Sequence, residues 1–190
     1  MSSNTFNVVK NQIKELPNNI ESEQAVIGSI LVSNDIFDEI SIIIDNKKFY
    51  DPVHQKIFLA IESLISKGML ANPITLKNYF ENDNSLDELQ GHEYLVKITK
   101  FSTSQRQALE YAKIIYDMHV RRELIKISES TIENASNKTL ELPGDKIIEQ
   151  SEKLLFDLAE RGSFSASFVK FDQALNQTIE MAHNAFKNEE

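Results

Sequence analysis

The sequence predicts an all-α chain: a small helical domain, a long αα-hairpin and a final linker helix. Two observations carry the fold class. Five glycines and four prolines in 190 residues leave few breakpoints. Apolar residues recur at helical spacing, whereas the strict alternation of a half-buried strand is rare. With 41% hydrophobic and 26% charged residues, the composition suits one or two globular domains with a real core.

Residues 1–15 are polar and unpatterned and read as a tail. The helical period starts in "LPNNIESEQAVIGSIL", with Val26, Ile27, Ile30 and Leu31 on one side. Ser33 and Asn34 are placed to end that helix and cap the next, which carries Ile36, Phe37, Ile40, Ile43 and Ile44. "FYDPVHQKIF" follows, with Asp51 as N-cap and Pro52 at the first helical position. The carboxylate there accepts from free N–H groups, and the proline lacks the N–H that would go unpaired. His54 falls in the first turn beside the apolar face of Ile57, Phe58, Ile61, Leu64 and Ile65, and is expected half-buried with one hydrogen bond. Phe49 and Tyr50 are expected to staple the helix start. Gly68 is the stop signal. "NPITLKNYFEND" and "GHEYLVKI" give two short helices, closing a domain over residues 16–101.

Ser104 and Gln107 form a capping box in front of one long helix reaching about Asn134. "NASNKTLELPGD" breaks it, and Pro143 and Asp145 start a second helix closed by Arg161 and Gly162. Together they make a hairpin over residues 103–162. Ala108, Ala112, Ile115 and Met118 on the first arm, and Ile147, Leu154 and Leu158 on the second, are expected to form an oligomer seam. A long hairpin beside a small domain leaves too few internal partners for both stripes. Residues 163–190 begin with the polar "RGSFSAS" tether. They continue into a stripe of Phe171, Leu175, Ile179, Ala182 and Phe186, the mark of an amphipathic helix that packs on something else.

The search for chemistry excludes more than it finds. No glycine is followed by lysine, so no phosphate-cradling loop exists. "HEYLV" starts like a zinc-protease helix but has Val96 where the second histidine belongs. No His-Asp dipeptide and no G-x-S-x-G turn occur. The absence of cysteine removes disulfides and thiolate metal sites. A net charge of −9 disfavours a broad nucleic-acid surface. No run approaches a membrane span and no signal peptide opens the sequence, so a cytoplasmic protein is expected. Asp51 and His54 therefore read as a helix start, not an active corner. No catalytic, cofactor-binding or metal-binding residue is assigned.

Several motifs in order resemble the N-terminal part of the bacterial replicative DNA helicases of the DnaB family. "LPNNIESEQAVIGSIL" resembles L-P-x-x-x-E-A-E-x-x-V-L-G-x-x-L, and "FYDPVHQKIFLAI" resembles F-Y-x-x-x-H-x-x-I-F. "QGHEYLVKI" is similar to G-G-x-x-Y-L, and "YAKIIYDMHVRRELI" to Y-A-x-I-V followed by R-x-L-I. Gln90 stands for one glycine of the family's pair, and Leu70 and Asn72 replace a proline and an aspartate in a turn. The resemblance implies a collar whose hairpins pair between subunits, three pairs giving a hexamer. It implies primase as the main external partner, with a helicase loader as a further one, and neither DNA binding nor membrane contact by this segment. It also implies that the last helix docks on a neighbouring subunit's motor. The family continues into a RecA-like motor that uses ATP and magnesium. This sequence carries none of it, so the expectation is a segment inactive alone, with no cofactor of its own. The competing readings are an all-α adaptor unrelated to replication and a helical hydrolase with an unrecognised site.

Overall fold

The computed structural model describes residues 15–80, 92–137 and 142–162. The 163–190 segment, with Phe171, Leu175, Ile179, Ala182 and Phe186, lies outside the described residues, as does almost all of the expected tail. Every described element is helical: α1 Ile20–Val32, α2 Phe37–Ile43, α3 Pro52–Ser66, α4 Pro73–Phe80, α5 His92–Thr99, α6 Gln105–Ser136 and α7 Gly144–Gly162. Single 3₁₀ turns at Asn34–Ile36 and Asn46–Lys48 precede α2 and α3. The chain divides into two compact units after Lys126, inside α6.

The first unit is built from short helices with well-made ends. Asn19 caps α1 by accepting from the Ser22 N–H. Asp51 caps α3 by accepting from the Val53 N–H at 2.8 Å, with Pro52 behind it, as the sequence predicts. At the far end Gly68 takes φ +71°, where a side chain would be strained. Its N–H reaches the Ile65 carbonyl while the Met69 N–H reaches that of Leu64, the paired bonds of a Schellman stop. Asn72 replaces an aspartate of the family pattern without losing its role, since its side chain accepts from the Ile74 and Thr75 N–H groups and caps α4. In front of α6 one half of the Ser104–Gln107 box forms: Ser104 Oγ accepts from the Gln107 N–H at 3.4 Å, while Gln107 Oε1 accepts from the Ser104 hydroxyl at 3.2 Å.

Ser33 ends α1 as expected, its N–H reaching the Ser29 carbonyl, but the expected cap of α2 does not form. Neither side chain caps α2. Asn34 turns back instead, donating to the Ile30 and Ala71 carbonyls and accepting from the Ala71 N–H. A side-chain amide has donors and an acceptor to satisfy a peptide passing nearby, and here that passing strand of loop outcompetes a local cap.

The core gathers Ile27, Ile30, Ile40, Ile44, Ile57, Ile61, Leu76, Leu95 and Ile98 around Phe37, Phe49 and Phe58, whose rings meet at centroid distances of 5.0 and 5.5 Å. Gly28 lets α1 approach α5, because a Cβ there would collide with the Ile98 backbone carbonyl. Ser29 ties the loop after α5 to α1: its Oγ donates to the Ala25 carbonyl and accepts from the Thr103 N–H.

Ala108, Ala112 and Ile115 are buried in this same core. That corrects the expected seam. Two alanines on one stripe of a long helix permit close approach to the chain's own domain, and the core uses it. Met118 follows them half-buried. In the second unit the Thr131 and Ser151 hydroxyls meet at 2.9 Å and join α6 to α7. There Ile147 and Leu158 are half-buried, and Leu154 is exposed.

Candidate functional site

The site with most chemistry lies beneath the "FYDPVHQKIF" corner. Glu23 in α1 and His54 in the first turn of α3 are both sealed from solvent, at 1% and 0% exposure. The Glu23 carboxylate accepts from the Tyr50 N–H at 2.6 Å, from the Asp51 N–H at 3.3 Å and from His54 Nδ1 at 2.7 Å. An ionised carboxylate only accepts, so Nδ1 carries a proton. With the ring neutral, Nε2 is the acceptor and takes the Tyr94 hydroxyl at 2.7 Å. Gln24 donates in turn to that phenolic oxygen at 3.4 Å. The His54 and Tyr94 rings lie nearly parallel, 12° apart, and Phe49 meets His54 edge-on.

A carboxylate, an imidazole and a hydroxyl in line have the parts of a proton relay, but this arrangement lacks what catalysis requires. Burial pushes the Tyr94 phenol above its ordinary value, with the Asp51 and Glu23 charges adding to the rise and Gln24 opposing it. That is the wrong direction for an activated nucleophile. Both remaining partners are closed off from any substrate. What the network does is join three helices. Its members come from α1, α3 and α5, and each bond satisfies a polar group that packing has desolvated. His54 is thus fully buried with two partners, not half-buried with one. Asp51 and Pro52 keep their predicted places as helix start. Among the described residues no group of three or more His, Asp or Glu side chains is arranged to hold a metal ion.

A second polar anchor sits on α6. Arg122 donates to the Pro17 carbonyl at 2.8 Å and to the Lys48 carbonyl at 2.5 Å, with its guanidinium 5.5 Å from the centre of the Tyr50 ring. One turn earlier, burial holds His119 at about 4, helped by the Lys48 and Arg122 charges and opposed by Glu123 and Asp45. Arg122 thus fixes the 48–51 segment, whose Tyr50 and Asp51 amides also feed Glu23.

Glu23, Tyr94 and Arg122 were not singled out from the sequence. A signal existed. Glu23 precedes Ile27 and Ile30 at i+4 and i+7, so an acid stands on the apolar stripe of α1. Tyr94 heads the stripe of α5 in the same way, and Arg122 continues that of Ala108, Ala112 and Ile115.

With this geometry in hand the comparisons are decisive. Residues 15–117 match the DnaB-like helicase N terminal domain. The chain belongs to that family. Its replicative DnaB helicase relatives include those of Rickettsia conorii, 38% identical over 173 residues, and Rickettsia bellii, 37% identical over 173 residues. Each alignment covers 91% of this chain and 35% of the relative, so the chain spans about a third of the length of these curated relatives. Among solved structures, the N-terminal domain of the DnaB helicase from Mycobacterium tuberculosis superposes with a TM-score of 0.69 at 21% identity, over 75% of this chain and 99% of that one. A DnaB-like replicative helicase described with its interactions with primase gives 0.60 at 20% identity, over 81% of this chain and 35% of that one. The sealed Glu23–His54–Tyr94 network is therefore a brace inside a DnaB-type N-terminal domain. Among the described residues, no helix is long and apolar enough to cross a membrane.

Proposed function

We propose that this chain serves as the assembly and docking module of a replicative DNA helicase, pairing subunits through the second unit and receiving primase. The match of residues 15–117 to the family domain carries the reading. Support for pairing comes from Leu154, which keeps a large apolar surface exposed in the second unit. Three such pairs would close a hexameric ring in the complete helicase. ATP and magnesium would serve a motor beyond this segment, and the Phe171–Phe186 stripe would dock on it. The segment itself would hold no cofactor and, with a net charge of −9, no DNA.

Light scattering on wild type, Leu154→Asp and Ile115→Asp tests the pairing. Leu154→Asp is expected to yield a folded monomer, whereas Ile115→Asp unfolds the first unit because it places a charge in the core. A monomeric wild type, or a dimer unchanged by Leu154→Asp, refutes it. Calorimetric titration with primase and fluorescence anisotropy with labelled single-stranded DNA test the partners. Binding to DNA but not to primase would favour another reading.

A further inference from the structure

The turn between α3 and α4 presents apolar side chains that the fold of the first unit does not use. Met69, Leu70 and Ile74 are 48%, 72% and 67% exposed. Of residues 66–79, only Ala71 and Leu76 enter the core. The backbone beneath the exposed residues is nevertheless held firmly. The Met69 N–H reaches the Leu64 carbonyl, the Leu70 carbonyl accepts from the Thr75 hydroxyl at 2.7 Å, Asn34 meets both the N–H and the carbonyl of Ala71, and Asn72 caps α4. The Asn34 bonds also bring the end of α1, with Val32 63% exposed, beside the same turn. Leu70 stands where the family pattern has a proline, which serves a turn through its fixed φ, so the leucine side chain answers no need of the backbone. Single exposed apolar residues are ordinary, but three on one rigid turn with a fourth beside them form a patch.

The charge around the patch selects the occupant. In a chain at −9, residues 63–80 hold no acid, while Lys67 and Lys77 flank the apolar residues and are both exposed. Among the described residues the lysines in ion pairs are Lys48, Lys113 and Lys146, so these two are unpaired. On the α1 side the acid next in sequence is Asp35, beside Asn34, which leaves two cations to one anion. Two lysines are too few for a nucleic acid. A second copy applied face to face would set lysine against lysine. A helix whose apolar stripe is flanked by glutamates or aspartates would bury the exposed side chains and meet both cations. We infer that the turn bearing Met69, Leu70 and Ile74 is a docking surface for an acidic amphipathic helix of another protein. Leu70 and Ile74 supply the buried area, unbranched Met69 adapts to the partner, and the fixed backbone spares the cost of ordering a loop on binding. This goes beyond the pairing reading and does not depend on it.

The probe is a labelled peptide of leucines and glutamates with the leucines at helical spacing, titrated into the full chain by anisotropy. Its counterpart has the same composition with the leucines scattered around the helix. The striped peptide is expected to bind saturably and the scattered one not at all. Leu70→Ala should weaken binding about tenfold, the loss of one anchor. The double variant Lys67→Gln, Lys77→Gln should weaken it comparably, and it is the readout should Leu70→Ala lose helical signal. Leu154→Asp, which alters an exposed residue of the second unit and abolishes pairing on the reading above, should bind the peptide as the wild type does. No saturable binding, equal binding of the scattered peptide, full binding by Leu70→Ala or by the lysine variant, or an equal loss with Leu154→Asp overturns the proposal. A dimer dissolved by Leu70→Ala overturns it too, because the turn would then belong to a second copy. A monomeric wild type that still binds through Leu70 refutes only the pairing.

Discussion

Replacing Glu23 by alanine removes the acceptor for the Tyr50 N–H, the Asp51 N–H and His54 Nδ1–H at once. The 3.3 Å bond from Asp51 contributes least. Each buried donor left without a partner costs about 1–3 kcal/mol, so the two short bonds alone set a loss of roughly 2–6 kcal/mol. Against a typical domain stability of about 5–15 kcal/mol, that is a large share. Glu23→Gln should be much milder. Its carbonyl oxygen still accepts from the backbone, and its amide N–H meets Nδ1 if the ring shifts its proton to Nε2, so the expected loss is about 1–2 kcal/mol. Tyr94→Phe leaves Nε2 without its donor and should cost about as much. The double variant Glu23→Gln, Tyr94→Phe should exceed the sum of its parts, because the shifted Nε2–H then points at a ring with no oxygen. Urea denaturation followed by circular dichroism reads these as midpoint shifts at constant slope. If Glu23→Ala loses less than about 1 kcal/mol, or no more than Glu23→Gln, the network is not the brace described here.

Three further outcomes follow from the same geometry. His119 is held at about 4 against an ordinary 6.5, so the unfolded chain takes up that proton first, and stability present above pH 6.5 is lost as pH falls toward 4. His119→Gln should flatten that part of the acid limb, and a proton resonance titration should place the folded midpoint near 4; a midpoint near 6.5 contradicts the assignment. Gly28→Ala must push α1 from the rigid Ile98 carbonyl and should cost about 1–3 kcal/mol by urea denaturation, with a neutral result showing that α5 yields freely. Arg122→Lys should restore little of what Arg122→Ala loses, since one ammonium cannot span the Pro17 and Lys48 carbonyls and lie over Tyr50; equal melting temperatures for the Arg122→Lys and wild-type chains would contradict the fork.

Local signals were legible wherever a residue acts on its own backbone. Asp51 with Pro52, Gly68, and Ser104 with Gln107 all work within a few positions of themselves, and their chemistry is written in adjacent letters. What escaped the sequence involves partners far apart along the chain. His54 needs Glu23 and Tyr94, and Asn34 needs Ala71. A spacing rule places a side chain on a helix face but does not say what faces it. Burial then decides between a surface histidine and a core one. His54 also precedes Phe58 and Ile61 at i+4 and i+7, as Glu23 precedes Ile27 and Ile30. A polar residue at the head of an apolar stripe is thus the pattern this fold uses to satisfy its core.

The long helix α6 carries the same logic to a different end. Ala108, Ala112 and Ile115 repeat at i, i+4 and i+7, and His119 and Arg122 extend the row to i+11 and i+14. Read as apolar letters alone, the row resembles a seam awaiting another helix. Read with its polar continuation, it is an internal stripe: small residues for close packing, then a neutral imidazole, then a guanidinium bonded to two backbone carbonyls. A seam between subunits has no need of an arginine fixed on Pro17 and Lys48, whereas the rim of a core does, because loop carbonyls there must find donors. The first unit ends at Lys126, one turn past that anchor. From there Ile132 on α6, and Ile148, Leu154, Leu155 and Phe156 on α7, keep their apolar surface exposed. The α6 residues up to that anchor, from Ala108 to Arg122, therefore serve the fold of the first unit.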